Sequence, residues 1–179
     1  MRQISKYLAV LPLVLGGITL SFVLAISVWS VTGSKSLFQT QSQAGSEEVS
    51  LSFSPSSGSW KAGQTQSVGV ILTTGTKIIS GVDTTIKFDP SLVNLTSNGV
   101  VAGKLLEKVL TQQVKSDRIS YSAVTSRPQA QNGILFTLTF QALKPGQLNL
   151  TLENPNDVME SPSALNILNK KTNAQFDIQ

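Results

Sequence analysis

Cysteine and histidine are both absent from the 179-residue sequence. Without cysteine the chain cannot form disulfides, thiolate nucleophiles or Cys-ligated zinc sites, and without histidine it lacks the base of Ser-His and Cys-His catalysis. The sequence has only ten acidic residues, and no two of them are spaced as a convincing pair for glycoside hydrolysis, which needs two carboxylates about 5–10 Å apart. We therefore expect a protein that is not an enzyme and that carries no metal or other cofactor.

Charged residues are sparse, at 13% of the chain, and most of the positive excess lies near the N-terminus. Three of the 14 basic residues, Arg2, Lys6 and Lys35, precede every acidic residue. The remaining 11 are set against all ten acidic residues, and no basic run is longer than Lys170-Lys171. The basic isoelectric point therefore does not indicate a nucleic-acid partner.

Charge is missing altogether from Tyr7 to Val31, a run of 25 mostly apolar residues. A bilayer core needs about 20 such residues, and the preceding Arg2 and Lys6 favour a cytoplasmic N-terminus. We predict a cytoplasmic tip and a single-pass transmembrane or signal-anchor helix in residues 1–32, with the rest of the chain on the extracellular side of the cell membrane. Secretion after cleavage of a signal peptide is the alternative. Residues 33–48, rich in Ser and Gln, are expected to form a flexible linker.

From Val49 onward, short segments that alternate apolar and polar residues recur between turns, which is typical of strands with one buried face. In the clearest segment, Val82, Thr84, Ile86 and Phe88 share one face, while Asp83, Thr85 and Lys87 share the other. About nine such segments and no long helix predict an all-β, antiparallel, nine-stranded jelly-roll sandwich over residues 49–179. The alternation in the other main segments predicts a common face for Val49, Leu51 and Phe53; Val68, Val70 and Leu72; Ile119, Tyr121 and Ala123; Ile134, Phe136, Leu138, Phe140 and Ala142; and Leu148, Leu150 and Leu152.

Residues 99–115 are ambiguous. Leu92–Leu95 is expected to continue the preceding strand, and Ala102–Glu107 predicts a helical turn. The apolar spacing from Leu105 to Leu110 fits one amphipathic helix, whereas Val109–Lys115 and Arg118–Val124 fit a hairpin that turns at Ser116-Asp117. Leu165–Leu168 and Ala174–Ile178 are expected to be the last strands.

A Pro-bounded loop is predicted to contain Asn154, Asn156, Asp157 and Glu160. Calcium prefers oxygen ligands of this kind, but the spacing does not match the helix-loop-helix pattern. An ordinary Asx-rich turn is the favoured reading of this segment.

Four segments carry a family resemblance: Lys61–Leu72 (KAGQTQSVGVIL), Ile79–Pro90 (ISGVDTTIKFDP), Asp117–Val124 (DRISYSAV) and Gly133–Leu150 (GILFTLTFQALKPGQLNL). In this order and spacing they resemble the cohesin domain, the nine-stranded jelly-roll module that binds dockerin domains in cellulosome-type assemblies. The resemblance covers about Val49–Gln179.

In cohesins the dockerin lies on one exposed sheet face, and an aspartate on the strand before a (Tyr/Phe)-Asp-Pro element is a recurrent contact. Asp83 occupies that position, and the alternation independently predicts that it points outward. Aspartate is disfavoured in strands, so its place here is either a tolerated surface position or part of a binding surface. Many cohesins carry Asn two residues earlier, where this chain has Gly81. The resemblance implies a partner-binding surface made of Asp83, Thr85, Gly81, Ser120, Ser122 and Val124, and ordinary strand surface is the alternative.

The resulting hypothesis is a membrane-tethered extracellular module that docks a dockerin-like protein domain in a surface or polysaccharide-degrading assembly. A carbohydrate-binding module of the same sandwich fold, with a polysaccharide as its ligand, is the alternative. Trp60 could stack on a sugar, but sugar-binding sandwiches usually align several aromatic side chains. We therefore expect Trp60 to pack at the edge of the core.

Overall fold

The computed structural model describes residues 48–179, which form strands and connections without a helix in that range. No helix able to span a membrane occurs among these residues. The helix expected in residues 1–32, and the linker of residues 33–48 up to Glu47, lie outside the described residues. The strands are β1 (Ser50–Ser54), β2 (Ser57–Trp60), β3 (Thr65–Thr73), β4 (Ile79–Lys87), β5 (Val93–Ala102), β6 (Lys108–Val114), β7 (Arg118–Gln129), β8 (Asn132–Ala142), β9 (Gly146–Glu160), β10 (Lys170–Lys171) and β11 (Ala174–Ile178).

The strands form two sheets, which confirms the all-β sandwich. A five-stranded sheet has the order β10-β1-β3-β8-β5, and a six-stranded sheet has the order β2-β11-β9-β4-β7-β6. The described residues thus contain eleven strands rather than the nine predicted. The chain changes sheets at every connection between successive strands except that from β6 to β7, and the change from β1 to β2 occurs across Pro55-Ser56. Two pairs, β1 with β10 and β2 with β11, are parallel, and the other pairs are antiparallel.

The apolar faces of the strands meet between the sheets. The face of β4 predicted to be buried is buried, and the Phe88 ring packs on Phe140 with ring centroids 5.4 Å apart. Tyr121 of β7 stacks on Phe136 of β8 at 4.2 Å between centroids. Each fully buried side chain of this size contributes about 1.5–3 kcal/mol of hydrophobic stabilisation. The alternation therefore identified most of the core correctly.

The alternation is wrong at one end of β8. Ile134, predicted to point inward, is 49% exposed, whereas its neighbour Leu135 is 1% exposed. On β3, Val70 pairs with Phe136 but the next residue, Ile71, pairs with Ile134, so Leu135 is an extra residue in a β-bulge. One inserted residue reverses which side chains face the core, because strand side chains alternate with period two.

The ambiguous segment contains no helix. β5 continues to Ala102, and residues 104–107 form bends. Val93 does not extend β4, because β5 belongs to the other sheet and pairs with β8. Asp89 and Pro90 end the β4 ladder, and Leu92 donates its backbone N–H to Asp89 O at 3.1 Å in the turn that follows.

Two further predictions near the C-terminus are wrong. The segment of residues 165–168 forms a single bridge, Asn166 with Met159, rather than a strand. The expected loop around Asn154–Glu160 is part of β9, which runs unbroken to Glu160. The hairpin that turns at Ser116-Asp117 is confirmed as β6–β7.

Candidate functional site

The six residues proposed as a binding surface lie together on the outer side of the six-stranded sheet. β4 and β7 are antiparallel neighbours, and their register sets Gly81 opposite Val124, Asp83 opposite Ser122, and Thr85 opposite Ser120. We call this set of three cross-strand pairs the β4–β7 face. The side chains of Asp83, Thr85, Ser120, Ser122 and Val124 are half-buried, as expected for a flat sheet surface.

Gly81 is buried rather than exposed, because Val124 covers it. A Cβ atom at Gly81 would lie 3.1 Å from Val124 Cγ1 and 3.2 Å from the carbonyl oxygen of Ala123. The lack of a side chain therefore lets Val124 lean over β4. This end of the face presents a valine surface to solvent instead of the glycine itself.

The neighbouring strands widen the surface on both sides. On β6, Thr111 lies opposite Ser122 and Gln113 lies opposite Ser120. On β9, Asp157 lies opposite Asp83 and Glu153 lies opposite Thr85. Asp83 and Asp157 line a shallow depression of about 350 Å³, together with Thr84, Thr85, Thr111, Ser120, Tyr121, Ser122 and Pro155. Sequence reasoning missed the contributions of β6 and β9, since strand pairing is not visible in the alternation.

Asp83 carries a charge on this face that no described residue compensates. Its carboxylate makes no hydrogen bond or ion pair with any of the described residues. The residue opposite it, Asp157, is also acidic and accepts a hydrogen bond from the side-chain amide of Asn166. Like charges placed directly opposite each other on neighbouring strands destabilise a sheet. This arrangement favours a hydrogen-bond donor or a cation above the pair.

The cations at the other end of the face are already paired. Lys87 Nζ lies 3.4 Å from Glu153 Oε1. The Arg118 guanidinium donates two hydrogen bonds of 3.2 Å to Asp117, and these bonds lower the pKa of the Asp117 carboxyl. The uncompensated charge of the surface is therefore acidic and centred on Asp83.

Asn156 of β9 supports β4, the strand that carries Asp83, through side-chain hydrogen bonds. Thr85 pairs with Glu153 and Asp83 pairs with Asp157, so residues 154–156 bulge opposite Thr84 alone. Asn156 is 5% exposed, and its Oδ1 accepts hydrogen bonds from Thr84 Oγ1 at 2.5 Å and from the Thr85 backbone N–H at 3.0 Å. A side chain of the bulge thereby replaces the missing ladder bonds beside Asp83.

The hydrogen bonds of Asn154 and Asn156 also bear on whether this segment could bind calcium. The Asn156 side-chain oxygen is turned into the sheet, and Asn154 Oδ1 accepts a hydrogen bond of 2.8 Å from Lys171 Nζ. Among residues 48–179, no three acidic side chains come together in a group that could hold a metal ion. Asn156 thus accepts hydrogen bonds from β4, and the segment is part of β9 rather than the Asx-rich turn that the sequence favoured.

Trp60 packs into the core, as predicted. It is 4% exposed and stacks on Phe176 with ring centroids 4.5 Å apart. Every other aromatic side chain in residues 48–179 is buried too: Phe53, Phe88, Tyr121, Phe136, Phe140 and Phe176. The described part of the chain therefore offers no exposed aromatic platform for a sugar ring.

Comparison with known proteins supports the fold. No family model matches the sequence, and no curated protein is significantly similar to it. Among solved structures, the non-cellulosomal cohesin of Archaeoglobus fulgidus has a TM-score of 0.59 and 17% identity, over 74% of this chain and 90% of its own. The CaCohA2 solution structure from Clostridium acetobutylicum has a TM-score of 0.60 and 19% identity, over 74% of this chain and 92% of its own.

A third similar structure contains a bound partner. It is the Coh-OlpC–Doc435 complex, a type I cohesin–dockerin complex from Clostridium thermocellum. The TM-score is 0.61 and the identity is 12%, over 74% of this chain and 94% of that chain. The resemblance to cohesins that the sequence motifs indicated is thus confirmed at the level of the fold: residues 48–179 form a sandwich of the cohesin type.

Proposed function

We propose that the chain is a membrane-tethered, extracellular cohesin-like module that binds a dockerin-like protein domain through the β4–β7 face. The observation that carries the proposal is the position of Asp83, a carboxylate with no partner among residues 48–179, in the middle of a flat, mostly hydroxyl-bearing sheet surface. Similar structures include a cohesin bound to a dockerin, which makes a protein domain of that type the preferred partner.

The chemistry of the face suits a protein surface. Ser120, Ser122, Thr85 and Thr111 both donate and accept hydrogen bonds, whereas Asp83 only accepts them. Short side chains on a flat sheet let a partner approach the backbone closely and lose little rotamer entropy on binding. A partner side chain that donates to Asp83 would also relieve its repulsion with Asp157.

The tether and its orientation rest on the N-terminal sequence. The uncharged run Tyr7–Val31 follows Arg2 and Lys6, a pattern that favours an extracellular position for the remainder of the chain. In this arrangement the module holds its partner at the cell surface, in a surface or polysaccharide-degrading assembly. The proposal gives the chain a role in binding and none in catalysis.

The test is capture of a dockerin-bearing partner by the full chain in detergent. Full-length protein on a solid support would be incubated with extracts of the same cells, and bound proteins would be identified by mass spectrometry. The proposal expects a protein with a dockerin-like domain, retained by wild type and lost with Asp83→Ala. A matched control is Ser67→Ala, which changes an exposed hydroxyl on β3 of the opposite sheet.

Two results would contradict the proposal. One is equal capture by Asp83→Ala and wild type. The other is retention of the full chain on an insoluble glycan with no dockerin-bearing protein bound, which would favour the carbohydrate-binding alternative.

A further inference from the structure

The apolar end of the β4–β7 face continues onto β9. Gly81 lies opposite Val124 of β7 on one side and opposite Met159 of β9 on the other. The side chains of Val124 and Met159 are half-buried, whereas Val158, the neighbour of Met159, is fully buried in the core. Met159 therefore points outward, because strand side chains alternate between the two faces of a sheet. We call Val124, Gly81 and Met159 the apolar row.

A second row lies two residues further along β4 and carries charge. Asp83 lies opposite Asp157 of β9, and the pairing of β4 with β9 is regular from Gly81 to Asp83. The two rows are therefore about 7 Å apart, twice the rise per residue of a strand. Both carboxylates line the depression of about 350 Å³, which has no basic residue in its described lining. A pair of acidic side chains thus borders an apolar surface on the same face.

The basic residues in the strands of the six-stranded sheet do not neutralise this pair. Most of them form ion pairs with other carboxylates: Lys87, Arg118 and Arg127. Lys108 of β6 lies opposite Val124, and β7 separates β6 from β4, so the backbone of Lys108 is about 10 Å from β4. The charge of Asp83 and Asp157 is therefore open to a cation supplied by a partner.

We propose that the β4–β7 face binds a lysine or arginine side chain of its partner, with the aliphatic stem on the apolar row and the charged head beside Asp83 and Asp157. Lysine and arginine lay their stems along apolar surface and keep the charged head in a polar environment, so one side chain uses both rows. The inference rests on the proposed function, since it names the chemistry that the partner presents to the same face.

Other partner side chains satisfy only part of this surface. A serine or threonine can donate a hydrogen bond to Asp83, but it leaves the charge of the carboxylate pair in place and the apolar row uncovered. A leucine or isoleucine covers the apolar row and leaves both carboxylates without a donor. A long aliphatic cation covers the row, forms charge-assisted hydrogen bonds and removes the repulsion between Asp83 and Asp157. Asp157 and Met159 of β9 thereby become determinants of partner choice.

Selection of peptides on the full chain tests this chemistry without a known partner. Random peptides displayed on phage would be bound to the full-length protein in detergent, after removal of those that bind a variant with Asp83→Asn and Asp157→Asn. Both substitutions keep the shape of the side chain and remove its charge. The selected peptides should be rich in lysine or arginine. In a synthetic copy, replacing the lysine by norleucine, which keeps the stem and removes the charge, should weaken binding about 10-fold.

Calorimetry with a selected peptide then compares variants of the full chain. Asp157→Asn, which removes one charge of the pair, and Met159→Gln, which makes the apolar row polar at similar size, should each weaken binding about 3- to 10-fold. The matched control is Lys108→Gln, which removes a charge from the same sheet and should bind the basic peptide at least as tightly as wild type. Thermal melting of each variant verifies that it folds.

Three results would overturn the inference: selected peptides without lysine or arginine, no peptide that distinguishes wild type from the doubly substituted variant, or an affinity unchanged by Met159→Gln. The inference and the proposed function fail separately. Capture of a dockerin-bearing protein that is lost with Asp83→Ala, but unaffected by Asp157→Asn and Met159→Gln, removes this inference alone. Selection of basic peptides without capture of any dockerin-bearing protein supports the cation site and removes the proposed dockerin partner.

Discussion

At the scale of single residues, Asn156 shows how one side chain supports the candidate site. The sequence places it in a run of Asx residues, where a turn or a calcium site both fit. The structure instead buries it against Thr84 and Thr85, the neighbours of Asp83 on β4. No local signal reveals this, because the role depends on three residues of β9 standing opposite Thr84.

Asn156→Ala should lower the free energy of unfolding by about 1–3 kcal/mol, since it leaves the Thr84 hydroxyl and the Thr85 N–H unsatisfied in a buried site. Asn154→Ala, which removes only an exposed hydrogen bond to Lys171, should change it by less than about 0.5 kcal/mol. Urea unfolding followed by circular dichroism measures both variants. Equal losses would mean that the Asn156 contacts do not support the sheet.

At the scale of elements, the sequence predicts a strand or hairpin well when the turn residues and the apolar–polar alternation that define it lie within one short segment. The β6–β7 hairpin and the buried face of β4 follow directly from the sequence pattern. The sequence pattern does not predict which side chains at the start of β8 face the core, because the bulge at Leu135 arises from the pairing of β8 with β3. The change of sheet between β1 and β2 is also decided by packing partners that lie far away in sequence.

Because of the bulge, we expect Leu135 rather than Ile134 to stabilise the core, which is the opposite of what regular alternation predicts. Leu135→Ala should destabilise the protein by about 2–5 kcal/mol, as expected for a large buried side chain, because it leaves a cavity. Ile134→Ala, at a position 49% exposed, should cost much less. Thermal and urea unfolding of the two variants gives the comparison. A larger loss at Ile134 would show that β8 keeps its regular alternation and that the bulge is absent.

At the scale of the whole molecule, the two outer faces of the sandwich differ in charge. The outer face of the five-stranded sheet carries uncharged side chains such as Ser52, Ser67 and Thr139, and the charged residues of that sheet are Lys170 and Lys171 of the edge strand β10. The other outer face carries Asp83 and Asp157. The alternation predicted that Asp83 lies on the outer face of β4, but not that Asp157 lies beside it, because that contact requires the β4–β9 pairing.

The proposed topology predicts how intact cells respond to protease. The module, or the linker before it, should be cleaved by protease added outside the cells, because that topology places the N-terminus, with Arg2 and Lys6, in the cytoplasm and the module outside. Immunoblotting against the C-terminal part follows the loss, with a cytoplasmic protein as the control for lysis. Protection until the cells are broken open would place the module on the cytoplasmic side.

The central claim is that Asp83 contacts a protein partner. Titration calorimetry would compare wild-type full chain, Asp83→Ala and Ser67→Ala with the dockerin-bearing protein that the full chain captures. Hydrogen bonds to a charged group contribute about 1.5–3 kcal/mol, so Asp83→Ala should weaken binding about 10- to 150-fold while the melting temperature stays nearly constant. Ser67→Ala should bind like wild type. Unchanged affinity of Asp83→Ala would contradict the account and remove the β4–β7 face as the docking surface.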